Sequence, residues 1–253
     1  MPKEEESKID LTQPVFGGPV GLGFDYFFGS SACPTCNTPY CYLEQDRIVS
    51  EPDIYYQGQY LEQRNGYRSP DWEEDQVDPI FTQRAVDFIA QSATTSEPFF
   101  LYLASSTPHE PCEEAVVPEF IKGVSKAGAR GDMVALFDWM VGQIMIALED
   151  NGLTDNTLLV ASSDNGAKPG DYNRYTYGHK SCGEWRGFKG GIWEGGHRVP
   201  LLVRWPNRIL PGSTSTQLVG LHDLMATIAE LTNISLPSDA GEDSHSFLGC
   251  TDQ

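Results

Sequence analysis

The sequence predicts an α/β fold with a mostly parallel central sheet flanked by helices. Three observations carry this. Short, continuous apolar runs at 98–104 (PFFLYLA), 158–161 (LLVA) and 199–203 (VPLLV) have the length of buried strands. Helical periodicity occupies 79–93, 132–150 and 222–231. The two patterns follow one another as helix, strand, helix, strand, loop, strand, helix, the order of parallel strands joined by crossovers.

Taken in order, residues 1–22 are polar, then rich in proline and glycine, and form an extended lead-in. Gly23–Gly29 is an aromatic cluster between glycines, and core packing explains it. Residues 30–78 open with a Cys/Pro loop and continue acidic and turn-rich, with little periodicity, so a surface excursion with short strands is expected. Pro79 suits the first position of a helix whose Phe81, Ala85, Phe88 and Ile89 share one face. The strand at 98–104 ends in Ser105–Pro111, where two prolines flank His109 and stiffen its loop. The helix at 132–150 carries an apolar stripe of Met133, Leu136, Phe137, Met140, Ile144, Ala147 and Leu148, and Asn151-Gly152 stops it. The strands at 98–104, 158–163 and 199–203 are expected to be neighbours in one sheet. Their ends should bring His109 and Asp164 to the same edge.

Composition narrows the function. A chain of 253 residues, 40% hydrophobic and 11% aromatic, can bury a core. Its net charge of −19 argues against nucleic acid and against an anionic membrane surface as partner. No continuous apolar run reaches the roughly 18 residues of a membrane span, and no apolar leader follows Met1. Of the six cysteines, Cys33-Pro-Thr-Cys36 has the shape of half a zinc knuckle, but no second C-x-x-C or Cys/His pair completes it at a usual spacing; Cys41 could join. Disulfides and free buried thiols remain equally open.

The chemistry concentrates in 157–206. The strand at 158–161 runs into Ser162, Ser163, Asp164, Asn165 and Gly166. A carboxylate and a carboxamide at a strand end are hard oxygen ligands, suited to Ca²⁺ or Mg²⁺. Gly166 lets the backbone turn away. From Arg174 to Arg208 seven basic residues stand against two acids, Glu184 and Glu194. A basic, glycine-rich loop beside an acidic one suggests an anion pocket, with a solvated loop as the plain alternative.

Asp164-Asn165-Gly166, followed by FKGGIWEGGHRVPLLVRWP at 188–206, resembles the sulfatases of the alkaline-phosphatase-like superfamily. G-F-D-Y-F-x-G at 23–29, P-H-x-P at 108–111 and A-G-E-D-S-x-S-F-L at 240–248 resemble further segments of that family. The resemblance implies an alkaline-phosphatase-like α/β fold and sulfate-ester hydrolysis, of aryl sulfates or sulfated carbohydrates, with bound Ca²⁺. It implies Asp164 and Asn165 as metal ligands and Lys189 as the cation on a sulfate oxygen. It makes His109 a hydrogen-bond and proton-transfer partner of the ester, with His179 a weaker substrate contact. It also implies an extracytoplasmic location.

The family's nucleophile is a formylglycine made from the Cys or Ser of C/S-x-P-x-R, and no such motif occurs in this sequence. Proline sits at the wrong offset after Cys33, Cys182 has none, and Ser106-Thr-Pro108 runs into His109 and Glu110. Residues 1–253 are therefore expected to be part of a sulfatase catalytic domain, truncated at the N-terminus and toward the C-terminus. In it, 98–232 would form the core with the site loops. Taken alone the chain is expected to be inactive. The competing readings are a phosphonate or phosphodiester hydrolase of the same superfamily, and a non-catalytic protein binding Ca²⁺ or a sulfated glycan.

Overall fold

The computed structural model describes residues 8–60, 62–168 and 176–250, so Arg174 lies outside the described residues. The chain forms two compact units, one of Met1–Asn151 with Asp164–Val199 and one of Gly152–Ser163 with Pro200–Gln253.

In the first unit, β1 (Phe28–Ser30), β2 (Tyr42–Glu44) and β3 (Arg47–Ile48) make an antiparallel sheet; β4 (Ile54–Tyr56) and β5 (Gly66–Arg68) make an antiparallel pair. Short strands here agree with the sequence, but the burial of this stretch corrects the expectation of a surface excursion at 30–78. That stretch is no surface excursion: Tyr40, Tyr42 and Trp72 are 1–3% exposed and form one core cluster with Val77 and Phe81. The Tyr42 and Trp72 rings sit 4.7 Å apart and the Tyr40 and Tyr56 rings meet edge-on at 5.5 Å. Aromatic side chains of this size bury enough area to hold strands of two or three residues that propensity alone would not.

Helix α1 (Val77–Ser92) starts two residues before Pro79, which sits in the first turn where its missing N–H costs nothing. It buries Val77, Phe81, Ala85 and Ile89. Helix α2 (Gly128–Asp150) buries Met133, Leu136, Met140, Ile144 and Leu148 along one stripe. By length and composition α2 could cross a membrane, a property hidden from a search for continuous apolar runs because Asp132 and Asp138 interrupt it. Its stripe is spent inside this unit, where Met133 and Leu136 pack with Val117 and Ile121.

Residues 98–104 are extended but, among the described residues, belong to no ladder. Exposure alternates along them: Phe99, Leu101 and Leu103 are half-buried, while Phe100 and Tyr102 are 58% and 72% exposed. Phe99 meets Phe88 of α1 edge-on at 5.7 Å and Leu103 packs on the aromatic cluster. The expected buried strand is thus a one-sided extended segment lying on α1.

In the second unit, β6 (Leu159–Ser162) pairs with β7 (Leu201–Arg204) from Leu159↔Arg204 to Ser162↔Leu201. The two are neighbours as expected, but antiparallel, and no sheet among the described residues is parallel. The helix at the chain's end buries Thr227 and Ala229 over Asp223–Thr232. The carboxylate of Asp223 accepts the backbone N–H groups of Gly220 and His245, each at 2.8 Å, and Phe247 N–H donates to the Thr227 hydroxyl, clipping 244–247 to the helix.

Candidate functional site

His109, Asp164, Asn165, His179 and Lys189 all lie in the first unit. The His109 loop is anchored from below. The buried carboxylate of Asp78, at the start of α1, accepts the Ser106 backbone N–H at 2.8 Å and the Ser106 hydroxyl at 2.7 Å. The Thr107 hydroxyl donates to the Met133 carbonyl at 2.6 Å, and the His109 N–H closes a turn onto the Ser106 carbonyl at 2.9 Å. Burial raises the Asp78 pKa, against the pull of those hydrogen bonds. Nothing in the sequence pattern marked Asp78, which reads as an ordinary first-turn acid.

Beside His109, Glu62 and Glu110 with Lys168 and Arg130 tie neighbouring segments together. Glu110 faces Arg130 and Lys168, each at 3.6 Å, and Lys168 also reaches Glu62 at 2.6 Å. Lys168 closes the loop that begins Asp164-Asn165, so this loop is drawn to the His109 loop. The same loop is clasped by the glycine-rich segment: Gly166 N–H donates to the Gly196 carbonyl at 3.0 Å and Lys189 N–H to the Ala167 carbonyl at 2.8 Å. A side chain at Gly166 would fall into the carbonyl oxygen of Gly195. The glycine is thus needed for close backbone approach rather than for the turn that the sequence suggested.

The basic segment spends most of its charge internally. The Arg186 guanidinium lies 3.8 Å from the Trp193 ring centre, and that of Arg198 lies 4.4 Å from the Trp185 ring and pairs with Glu194. Lys180 pairs with Glu184. This narrows the expected pocket of many cations. Lys189 is half-buried, and among the described residues no carboxylate lies within ion-pair distance of it. Its charge is felt at both His109 and Glu62. Asp164 is exposed and Asn165 half-buried. His179 is exposed, and no hydrogen bond or ion pair among the described residues joins it to His109 or Lys189.

A cleft of about 420 Å³ is lined by Cys33, Cys36, Asn37, Glu62, Arg64 and His109. The Cys33 and Cys36 sulfurs each stand 3.8 Å from His109 Nδ1. The Cys33 carbonyl accepts the N–H groups of Cys36 and Asn37, folding the pair into a turn, and the Thr35 hydroxyl and Cys36 thiol both donate to the Glu110 carbonyl, at 2.5 and 3.2 Å. Cys33, Cys36, Cys112 and Cys182 carry free thiols. The hydrogen bond from Cys36, then those from His109 and Thr35, hold the Cys33 thiol far below its ordinary pKa despite burial, and the same contact with burial pushes Cys36 up. Cys33 in turn raises His109, against burial and the nearby Lys189.

A carboxylate just past a strand end, a clasped glycine loop and a half-buried lysine whose charge reaches a histidine are groups able to meet an anion. The Sulfatase family model matches residues 4–234, and the chain belongs to the sulfatase family. It is 37% identical over 188 residues to an N-acetylgalactosamine-6-O-sulfatase of Bacteroides thetaiotaomicron, across 72% of this chain and 36% of that one. It is 34% identical to the steryl-sulfatase of Rattus norvegicus, across 82% and 32%. Among solved structures, one from the metabolism of multiple glycosaminoglycans by Bacteroides thetaiotaomicron superposes with a TM-score of 0.83 at 27% identity, covering 96% of this chain and 58% of that one. The fold is therefore the α/β, alkaline-phosphatase-like fold of that family. The chain spans about a third of the length of these two curated relatives.

Proposed function

We propose that this chain forms part of a sulfuric ester hydrolase acting on sulfated carbohydrates, with Lys189 as the cation that receives the sulfate. The observation that carries this reading is the isolation of Lys189. A half-buried ammonium that, among the described residues, has no carboxylate within ion-pair distance, and whose charge reaches His109, can meet developing sulfate charge. His109 holds a proton for the ester oxygen: its Nδ1 edge is taken up by the Cys33 and Cys36 sulfurs and the Glu110 carbonyl, which leaves Nε2 for a substrate. Glu110, held by Lys168 and Arg130, positions that loop. Asp164 and Asn165 offer adjacent hard oxygens, a donor set that fits Ca²⁺ in type. The metal, when bound, supplies Lewis-acid polarisation of the ester oxygen. The glycan preference follows the names of the relatives, and the same likeness favours an extracytoplasmic setting.

The nucleophile is not among these residues, so the 253-residue chain by itself should give no measurable hydrolysis of an aryl sulfate. Joined to a segment carrying C-x-P-x-R and co-expressed with a formylglycine-generating enzyme, it should hydrolyse the ester. Lys189→Ala in that protein should remove most of kcat/KM, by about a hundredfold or more. Near-normal turnover in Lys189→Ala would refute the assignment of the basic loop.

A further inference from the structure

We propose that Cys33, Cys36 and His109 bind a Zn²⁺ ion in the cleft. The argument starts from distance. In a tetrahedral zinc site with Zn–S near 2.3 Å and Zn–N near 2.05 Å, a sulfur and a nitrogen ligand stand about 3.6 Å apart. Both sulfurs lie 3.8 Å from His109 Nδ1, and all three donor atoms lie within 4.8 Å of one another. A shift of a few tenths of an ångström brings each sulfur–nitrogen pair onto the edge of a coordination tetrahedron. Among the described residues this is the one cluster of three His, Cys, Asp or Glu side chains so arranged.

The donor set selects the metal. Two sulfurs and an imidazole are soft to borderline ligands, matched to zinc and mismatched to Ca²⁺ or Mg²⁺. The scaffold is stiff where it must be. The Cys36 carbonyl accepts the Arg64 N–H at 3.0 Å and the Tyr40 hydroxyl at 3.2 Å, so the C-x-x-C turn is tied to the aromatic core. The Asp78–Ser106 anchor fixes the histidine loop. Three protein ligands leave a fourth position open toward the cleft lined by Asn37, Glu62 and Arg64, for water or a small anion. Coordination through Nδ1 replaces the 3.1 Å contact of that nitrogen with the Glu110 carbonyl, which requires a proton on Nδ1, and moves the proton of His109 to Nε2, the nitrogen that faces a ligand.

The test is a binding measurement on the full chain, so it stands apart from the sulfatase reading, which is tested by turnover. Metal-free, reduced protein is titrated with Zn²⁺ against a chromophoric indicator and, separately, with Co²⁺. The expected result is one equivalent of zinc, and thiolate-to-cobalt charge-transfer absorption with Co²⁺. Cys33→Ser, Cys36→Ser and His109→Ala should each weaken binding by more than about a hundredfold, since even loss of an outer-shell partner costs ten- to a hundredfold. Cys182→Ser should leave it unchanged. Should Cys36→Ser fail to fold, zinc protection of Cys33 from iodoacetamide in the native chain gives the same answer. Absence of thiolate bands, a Cys33 alkylation rate indifferent to zinc, or displacement of zinc by millimolar Ca²⁺ would each overturn the proposal.

Discussion

Replacing Asp78 tests how the His109 loop is held. Its carboxylate is 4% exposed and accepts two hydrogen bonds from Ser106, at 2.8 and 2.7 Å. Asp78→Ala leaves a backbone N–H and a hydroxyl without acceptors in the interior, each costing about 1–3 kcal/mol. Removing the carboxylate also removes its own desolvation cost, so the net loss should be about 3 kcal/mol rather than the full sum. Asp78→Asn keeps the shape: its carbonyl accepts the Ser106 N–H, and its amide can donate to the Ser106 oxygen, which then acts as acceptor. That variant should lie within about 1 kcal/mol of the parent at pH 7. The pH dependence has a fixed sign. Burial raises the folded-state pKa of Asp78 above its unfolded value of 3.8. Its favourable contribution is therefore complete below that value and is lost as pH rises through the folded pKa. The parent should gain on Asp78→Asn as pH falls toward 4. Urea midpoints of the three proteins across that range supply the measurement. If Asp78→Ala costs under about 1 kcal/mol, or Asp78→Asn costs as much as Asp78→Ala, the anchor is not what holds this loop.

Two further outcomes follow from the same residues. Leu148, 1% exposed on the buried stripe of α2, should cost about 2–5 kcal/mol when cut to alanine, seen as a lower urea midpoint with an unchanged slope. Calcium should bind this chain only weakly, because Asp164 and Asn165 supply about two of the six to eight oxygens the ion prefers, and submicromolar, stoichiometric binding by calorimetry would contradict that ligand count.

The sequence by itself determined the family and the elements whose signals are local. The helices at 77–92, 128–150 and 223–232 were legible because each is long enough to display an apolar stripe. The loops of the candidate site were legible because Asp164-Asn165-Gly166, the P-H-x-P turn and the glycine-rich segment are contiguous strings whose chemistry is written side by side. What the tertiary structure decided was everything that depends on distance in space. Strands of two to four residues are too short to show a period of two, so the aromatic core around Tyr40, Tyr42 and Trp72 lay hidden in a stretch that looked like surface. The antiparallel direction of β6 against β7 is a relation between two backbones, which the side-chain pattern of neither strand records. Apolar content placed 98–104 in a strand, but a ladder needs a partner's backbone, and alternation alone shows only which face is covered. Cys33 and Cys36 looked like half of a site, and the side chain packed against both sulfurs is that of His109, 73 residues beyond Cys36. Metal-type clusters built across such separations are created by packing, and packing is what a linear reading lacks.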